Sequence, residues 1–261
     1  MPQSHVIKFI FPILIIFVAL FFCRMFFKTC SNKASCKANI NKTIFTFLGA
    51  PGAGKGTLAA QCVNQLDFKT VSTGNLCRQE IASGSKKGKK IKEYIMKGLV
   101  PDEIIVEMLQ SWLDKQQNNK TIILDGYPRT QNQAALLNDL LKNKFSDYSF
   151  RVIFLQAFDQ EEVVTRLSNR LVCKNKKCQA IYNIATLKDK NKKICEKCAN
   201  ELIQREDDKP EVIRKRLQDF AKNNAEIIAF YNKAGIIVET FNVSHITPKQ
   251  IFENFKKIVI S

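Results

Sequence analysis

The residues of this 261-residue chain that could do chemistry fall into three groups. The first is the run Gly49-Ala50-Pro51-Gly52-Ala53-Gly54-Lys55-Gly56-Thr57. It follows G-x-x-x-x-G-K-[ST] with one residue's difference, Gly56 standing between the lysine and the threonine. Glycines in such a run let successive backbone N–H groups point inward at an anion, and a following helix adds its positive end. A lysine there bridges the β- and γ-phosphates as a point charge. An apolar run precedes it and an amphipathic stretch follows. The pattern therefore predicts a nucleoside triphosphate site built from Gly52, Ala53, Gly54, Lys55, Gly56 and Thr57, rather than a Gly-rich turn that binds nothing.

The second group is Leu124-Asp125-Gly126-Tyr127-Pro128-Arg129-Thr130 and a set of arginines. An aspartate at the end of a buried apolar strand, facing a phosphate loop, is placed to hold Mg²⁺ through water. Arg166 and Arg170 lie four residues apart, a spacing that predicts one shared helix face. Arg205 and Asp207 follow the next segment, and Arg216 falls on the helix after that. Such arginines read as a solvated face unless something anionic gathers them.

The third group is Cys173-x₄-Cys178 and Cys195-x₂-Cys198, sixteen residues apart. Four thiolates in two close pairs match a tetrahedral structural metal site, zinc first. Two disulfides or metal-free packing are the other readings the pattern admits. The surrounding segment is rich in Lys and Asn and poor in core residues, so a metal would supply the order that packing cannot. Cys62 and Cys77 read as small apolar helix residues.

These groups need elements to position them. Thr43–Leu48, Thr121–Leu124, Arg151–Leu155 and Ile236–Glu239 read as buried strands. Helices are predicted over Lys55–Leu66, Gln131–Lys142, Gln160–Arg170, Pro210–Lys233 and Pro248–Ile258. Strands alternating with helices of this length imply an α/β fold, a parallel sheet wound on both faces. Ser72–Leu113 and Leu171–Asp208 have no strand of their own in this reading and look like insertions.

In order and spacing, Thr43–Ser261 resembles the adenylate kinases. GAPGAGKGT is that family's form of the phosphate loop. Ser72-Thr73-Gly74-Asn75-Leu76-Cys77-Arg78 is similar to its S-T-G-D-x-x-R, with Asn75 in place of Asp. Gly98-Leu99-Val100-Pro101-Asp102 is similar to its G-x-L-V-P-D, and Leu124–Thr130 to its L-D-G-F/Y-P-R-T. The cysteine segment departs from the family's C-x₂-C first pair, and Gln179 and Ala199 stand where glycine commonly follows each pair.

The resemblance implies a P-loop nucleoside-monophosphate-kinase fold, with an AMP-binding helical insertion over 72–101 and a zinc-binding lid over 171–208. It implies a monomer that moves the terminal phosphoryl group of ATP to AMP, giving two ADP, with Mg²⁺ and structural Zn²⁺. Carried over residue by residue, AMP would meet Thr73, Arg78, Leu99, Val100, Gly126, Arg129, Gln133, Arg205 and Arg216. ATP would meet the phosphate loop, Arg166 and Arg170, and Asp125 would hold Mg²⁺. Lys55, Arg129, Arg170, Arg205 and Arg216 would form the catalytic set. The phosphate of AMP is already a nucleophile, its second pKa being about 6, so no base is required of His5 or His245.

The formal net charge of +17 asks for a polyanionic partner. A zinc-ribbon nucleic-acid-binding ATPase is thus a rival, but the basic residues are scattered and no aromatic platform is interleaved with them. Another nucleoside-monophosphate kinase, or a GTP-using one, is a nearer rival; Thr73 and Gln133 favour AMP. A membrane-tethered nucleotide sensor would have no need of Lys55, Asp125, Arg129 and Arg170 together.

The leader, residues 1–42, holds an apolar run over Phe9–Cys23 between Lys8 and Arg24, followed by Lys28, Lys33, Lys37 and Lys42. It reads as a signal anchor leaving the rest in the cytoplasm, or as a bipartite organelle leader. Simple secretion or a misassigned start would also account for it.

Overall fold

The computed structural model describes residues 42–260, except 98, 99, 158, 159, 176, 177, 179, 188, 190, 191, 206 and 207. The leader's apolar run, Leu99, Asp207 and Gln179 therefore lie outside the described residues. In chain order the strands are β1 (Thr43–Gly49), β2 (Lys69–Ser72), β3 (Thr121–Asp125), β4 (Ser149–Gln156), β5 (Arg170–Cys173), β6 (Ile181–Asn183), β7 (Leu202–Ile203) and β8 (Ile237–Asn242). The helices are α1 (Lys55–Leu66), α2 (Thr73–Ala82), α3 (Lys86–Lys97), α4 (Asp102–Leu113), α5 (Gln131–Lys144), α6 (Gln160–Ser168), α7 (Pro210–Lys233) and α8 (Pro248–Ile260).

Every position of β1 is buried, as a central strand covered on both faces requires. It pairs in parallel with β3 on one side and β4 on the other. The full sheet runs β2-β3-β1-β4-β8, all parallel. Side chains alternate across it. Phe45 and Phe47 meet Phe255 of α8 edge to face, at 5.2 and 5.3 Å, in a core shared with Leu58 and Cys62 of α1. Ile44 turns to the opposite face, where Leu109 and Leu113 of α4 and Leu137 of α5 cover it. The chain runs from β1 out to β2 and β3 on one side and then crosses from β3 to β4 on the other, and in such sheets the crevice at the carboxyl ends is where ligands bind. The register sets Phe47, Asp125 and Ser72 abreast at that end.

Three expectations need correction. Strand β2 runs up to and includes Ser72, a strand the hydrophobic pattern did not show because an edge strand of four residues buries only Val71. Leu171–Asp208 does contain strands: β5 pairs antiparallel with β6 and with β7 in a separate three-stranded sheet. Those strands are two to four residues long, too short for an alternating pattern to register. Strand β8 also runs three residues past the predicted Glu239, since it must span the neighbouring β4 up to Gln156.

Helices α2 and α3 pack so closely that Gly88 has no room for a side chain. A Cβ there would lie 2.2 Å from the Glu80 carbonyl oxygen. Gly88→Ala is therefore expected to lower stability by about 1–3 kcal/mol through overpacking, despite alanine's better helix propensity. A melting temperature equal to or above that of the unchanged protein would show that the two helices can part at little cost.

Candidate active site

Strand β1 ends at Gly49, whose φ is 144° and whose Cβ would fall 2.4 Å from the Leu155 carbonyl oxygen, so only glycine fits. The chain turns (Ala53 N–H to Ala50 O, 3.0 Å) and enters α1 through Gly54, the N-cap, at φ 94°. The helix start thus aims its free N–H groups into the loop. The Lys55 ammonium donates to the Gly49 and Ala50 carbonyls at 2.7 and 2.8 Å. Gly52 lies under Val163 and Leu167 of α6, Ala53 is buried, and Thr57 is exposed on the first turn of α1. Gly56, the odd residue of the motif, has a structural reason: a Cβ there would stand 3.3 Å from Asp125 Oδ2. The same Cβ would stand 3.8 Å from Ile181 Cδ1, so the small sheet reaches over the phosphate loop.

Charge converges on this point. Burial, opposed by Asp125 and reinforced by the guanidiniums of Arg129, Arg216 and Arg170, lowers the pKa of Lys55 to about 8. Burial raises the pKa of Asp125, while Lys55, Arg129, Arg205 and Arg170 pull it back. Four cations from four different parts of the chain, Lys55, Arg129, Arg170 and Arg205, thus act on one carboxylate, and Arg216 acts on Lys55 beside it. Asp125 ends β3 beside β1, at the mouth of the phosphate loop, where a divalent cation bound to phosphate oxygens would be within reach through water.

A second carboxylate holds the arginines in place. Asp208, fully buried, accepts from Arg170 Nε at 2.8 Å and from its Nη2 at 2.5 Å, a two-pronged pair, and lies 3.8 Å from Arg216 Nη1. Residue-by-residue reading passed over Asp208. Its signal was a third acidic residue in a row, two residues before the helix-starting Pro210. The predicted shared face of Arg166 and Arg170 is also corrected. Helix α6 stops at Ser168, and Arg170 opens β5, where pairing to Asn183 takes its backbone out of the helix. Arg166 is instead held by Glu162 one turn back on α6.

The other motif gathers nearby. Thr73 is buried at the start of α2, behind Ser72, which is the cap. The guanidinium of Arg78 bonds Asn75 and lies over Gly74, whose Cβ would be 3.3 Å from Arg78 Nη1. Arg129 Nε donates to the Gly126 carbonyl at 3.2 Å. Burial raises the pKa of the Cys77 thiol against the opposing pull of Arg129 and Arg78, which places both exposed guanidiniums around one spot. Val100 packs against the core, and Gly126 lies 3.6 Å (from its ideal Cβ) from Lys55 Cε. Gln133 is buried at the start of α5.

The four thiols Cys173, Cys178, Cys195 and Cys198 come together, all Sγ atoms within 4.8 Å of one another. Cys173 and Cys198 are 3.4 Å apart, and Cys178 and Cys195 3.7 Å. A tetrahedral Zn²⁺ with bonds near 2.3 Å needs sulfurs about 3.8 Å apart, so the geometry fits zinc. It does not fit two disulfides, whose sulfurs stand about 2.05 Å apart, and all four cysteines are free. The local core of Leu171, Leu187 and Leu202 is small and includes Cys173 and Cys195 themselves. Ala199, at φ 55°, occupies the left-handed region that explains glycine's usual place there.

A parallel sheet with this phosphate loop, an aspartate at the next strand's end and arginines converging on both defines a P-loop nucleotide kinase. A family model described as adenylate kinase matches residues 47–236. The adenylate kinase of Thermosipho africanus is 41% identical over 189 residues, 72% of this chain and 86% of that protein. That of Kosmotoga olearia is 39% identical over 215 residues, 81% and 98% of the two chains, and that of Archaeoglobus fulgidus 40% over 196 residues, 74% and 88%. The chain belongs to the adenylate kinase family.

The lowered pKa of Lys55 sets a pH dependence. Phosphate oxygens bind the protonated amine, and in the free protein that proton is lost as pH rises through about 8, well before an ordinary lysine's at 10.5. Affinity for ATP is therefore expected to weaken as pH rises through about 8 and to level off when Lys55 is replaced by Met. Binding titrations across that range check it; a flat profile in the unchanged protein would show that Lys55 keeps its proton.

Proposed function

We propose that this protein transfers the terminal phosphoryl group of ATP reversibly to AMP, yielding two ADP, in support of adenine nucleotide balance. The observation that carries the reading is the convergence of Arg129, Arg170, Arg205 and Arg216 on the Lys55–Asp125 pair at the mouth of the phosphate loop. Transfer between two phosphates needs alignment and charge neutralisation rather than a base, and this cluster offers both. Mg²⁺, held through water by Asp125, would add positive charge between the phosphates when bound.

In this reading the loop from Gly52 to Thr57 holds the triphosphate, and Arg166 and Arg170 belong to the ATP side. Arg78 and Arg129 grip the AMP phosphate, with Arg205 and Arg216 closing on the transferring group. Thr73 and Val100, within an insertion over 72–101, line the AMP pocket together with Gly126 and Gln133 from outside it. The segment 171–208 forms a lid over the loop, excluding water that would otherwise take the phosphoryl group. The reach of Ile181 towards Gly56 supports that placement. Zn²⁺ on the four thiols staples the lid, and the protein works as a monomer. Among the described residues no helix is long and apolar enough to cross a membrane.

Three measurements test the reading. With ATP as donor, ADP formation is expected with AMP and not with CMP, UMP or GMP; equal rates with another acceptor would overturn the assignment. Arg129→Ala should leave ATP binding intact and cut turnover by about 10²-fold or more; near-normal turnover would remove Arg129 from its role. Chelation of the thiol-bound metal should lower the melting temperature while phosphotransfer persists in the cold. Immediate loss of activity with the fold retained would mean that the metal takes part in the chemistry.

A further inference from the structure

The Gln133 amide is held in one orientation by two neighbours of opposite character. Its Nε2–H donates to Asp102 Oδ1 at 2.6 Å, and its Oε1 accepts from the Arg129 backbone N–H at 2.8 Å. A carboxylate can only accept and a backbone N–H can only donate. Turning the amide over would set donor against donor and acceptor against acceptor, and Gln133, 5% exposed, has little water to make good the loss. The other oxygen of Asp102 is fixed as well. It accepts from Asn132 Nδ2 at 2.8 Å and from the Thr130 hydroxyl at 3.3 Å, while that hydroxyl accepts from the Gln133 backbone N–H at 3.1 Å.

Each end of the locked amide keeps one bond to give: a second N–H on Nε2 and a second lone pair on Oε1. Side by side, these match a base edge that offers an acceptor next to a donor. Adenine offers that edge, with N1 beside the 6-amino group. Hypoxanthine and guanine offer the reverse, an N1–H beside O6. A freely turning amide would serve either edge; this one serves only the first.

We propose that Asp102 is the positioning residue that sets base selectivity at the monophosphate site, by locking the Gln133 amide against reversal. The proposal rests on the reading of AMP as acceptor, with Gln133 at its base. Asp102 acts through Gln133, and the same amide pins the backbone of Arg129, so base and phosphate recognition share one anchor.

The test uses the full chain with ATP as donor and AMP or IMP as acceptor, products being resolved by chromatography. The unchanged protein is expected to favour AMP strongly. Asp102→Ala should lower the AMP-to-IMP ratio of kcat/KM by about tenfold or more. Most of that change should lie in KM for AMP, with KM for ATP held within about twofold. Asp102→Asn, which keeps one oxygen for Gln133 Nε2, should fall between. A merely structural role would depress both acceptors equally, so an unchanged ratio in Asp102→Ala overturns the proposal. Should that variant not fold, Asp102→Asn decides in its place, a lowered ratio supporting the lock and an unchanged one overturning it. Absence of ADP from AMP in the unchanged protein would instead overturn the acceptor reading, and the lock with it.

Discussion

Concentrated positive charge is the constraint on which the rest of this structure depends. Lys55, Arg129, Arg170, Arg205 and Arg216 are drawn to one place, the carboxylate of Asp125 being counter-charge to the first four and that of Asp208 to Arg170 and Arg216. Such an arrangement opposes folding, because like charges in a dehydrated cleft repel far more strongly than in water. Burial already loosens the proton on Lys55. The same repulsion is what makes the site useful, since polyphosphate is the missing half of its electrostatics. The sheet, the two helix layers and the small second sheet can be understood as what keeps these cations from dispersing.

Two carboxylates divide that task. Asp125 is fixed by the central sheet, abreast of Phe47 and Ser72, and its position is as rigid as the parallel ladder. Asp208 stands where the small sheet returns to α7, and by gripping Arg170 in two prongs while meeting Arg216 it ties the two guanidiniums to each other. Losing it would leave Arg170, itself largely buried, without its partner. Stability in the two regions comes from different sources. Around β1 it is aromatic and aliphatic burial, Phe255 against Phe45 and Phe47. In the small sheet three leucines are helped by a thiol quartet spaced for zinc.

Close approach, more than conformational freedom, explains several small residues. Gly56 makes way for the Asp125 carboxylate, Gly74 for the Arg78 guanidinium and Gly88 for the Glu80 carbonyl. At Gly88 a side chain would force two helices apart, while at Gly56 and Gly74 it would crowd a charged group by a few tenths of an ångström.

Much of this was legible in the amino-acid order, because it depends on local rules. The phosphate loop follows from glycine spacing between an apolar strand and a helix. The central strands follow from continuous apolar runs, and the thiol pairs from their spacing in a core-poor segment. Helices α1 and α7 fall on their predicted bounds, since periodicity and Pro210 mark them. What tertiary structure decided is everything set by partners distant in sequence. Strand β2 exists because β3 offers it an edge, and Arg170 leaves the helix because Asn183 lies opposite it in β5's ladder. Asp208 matters because folding buries it between two arginines, and Asp102 because folding carries it 31 residues along the chain to Gln133. Local sequence sets which conformations and charges are on offer; only long-range packing removes the water and decides which donors and acceptors face each other.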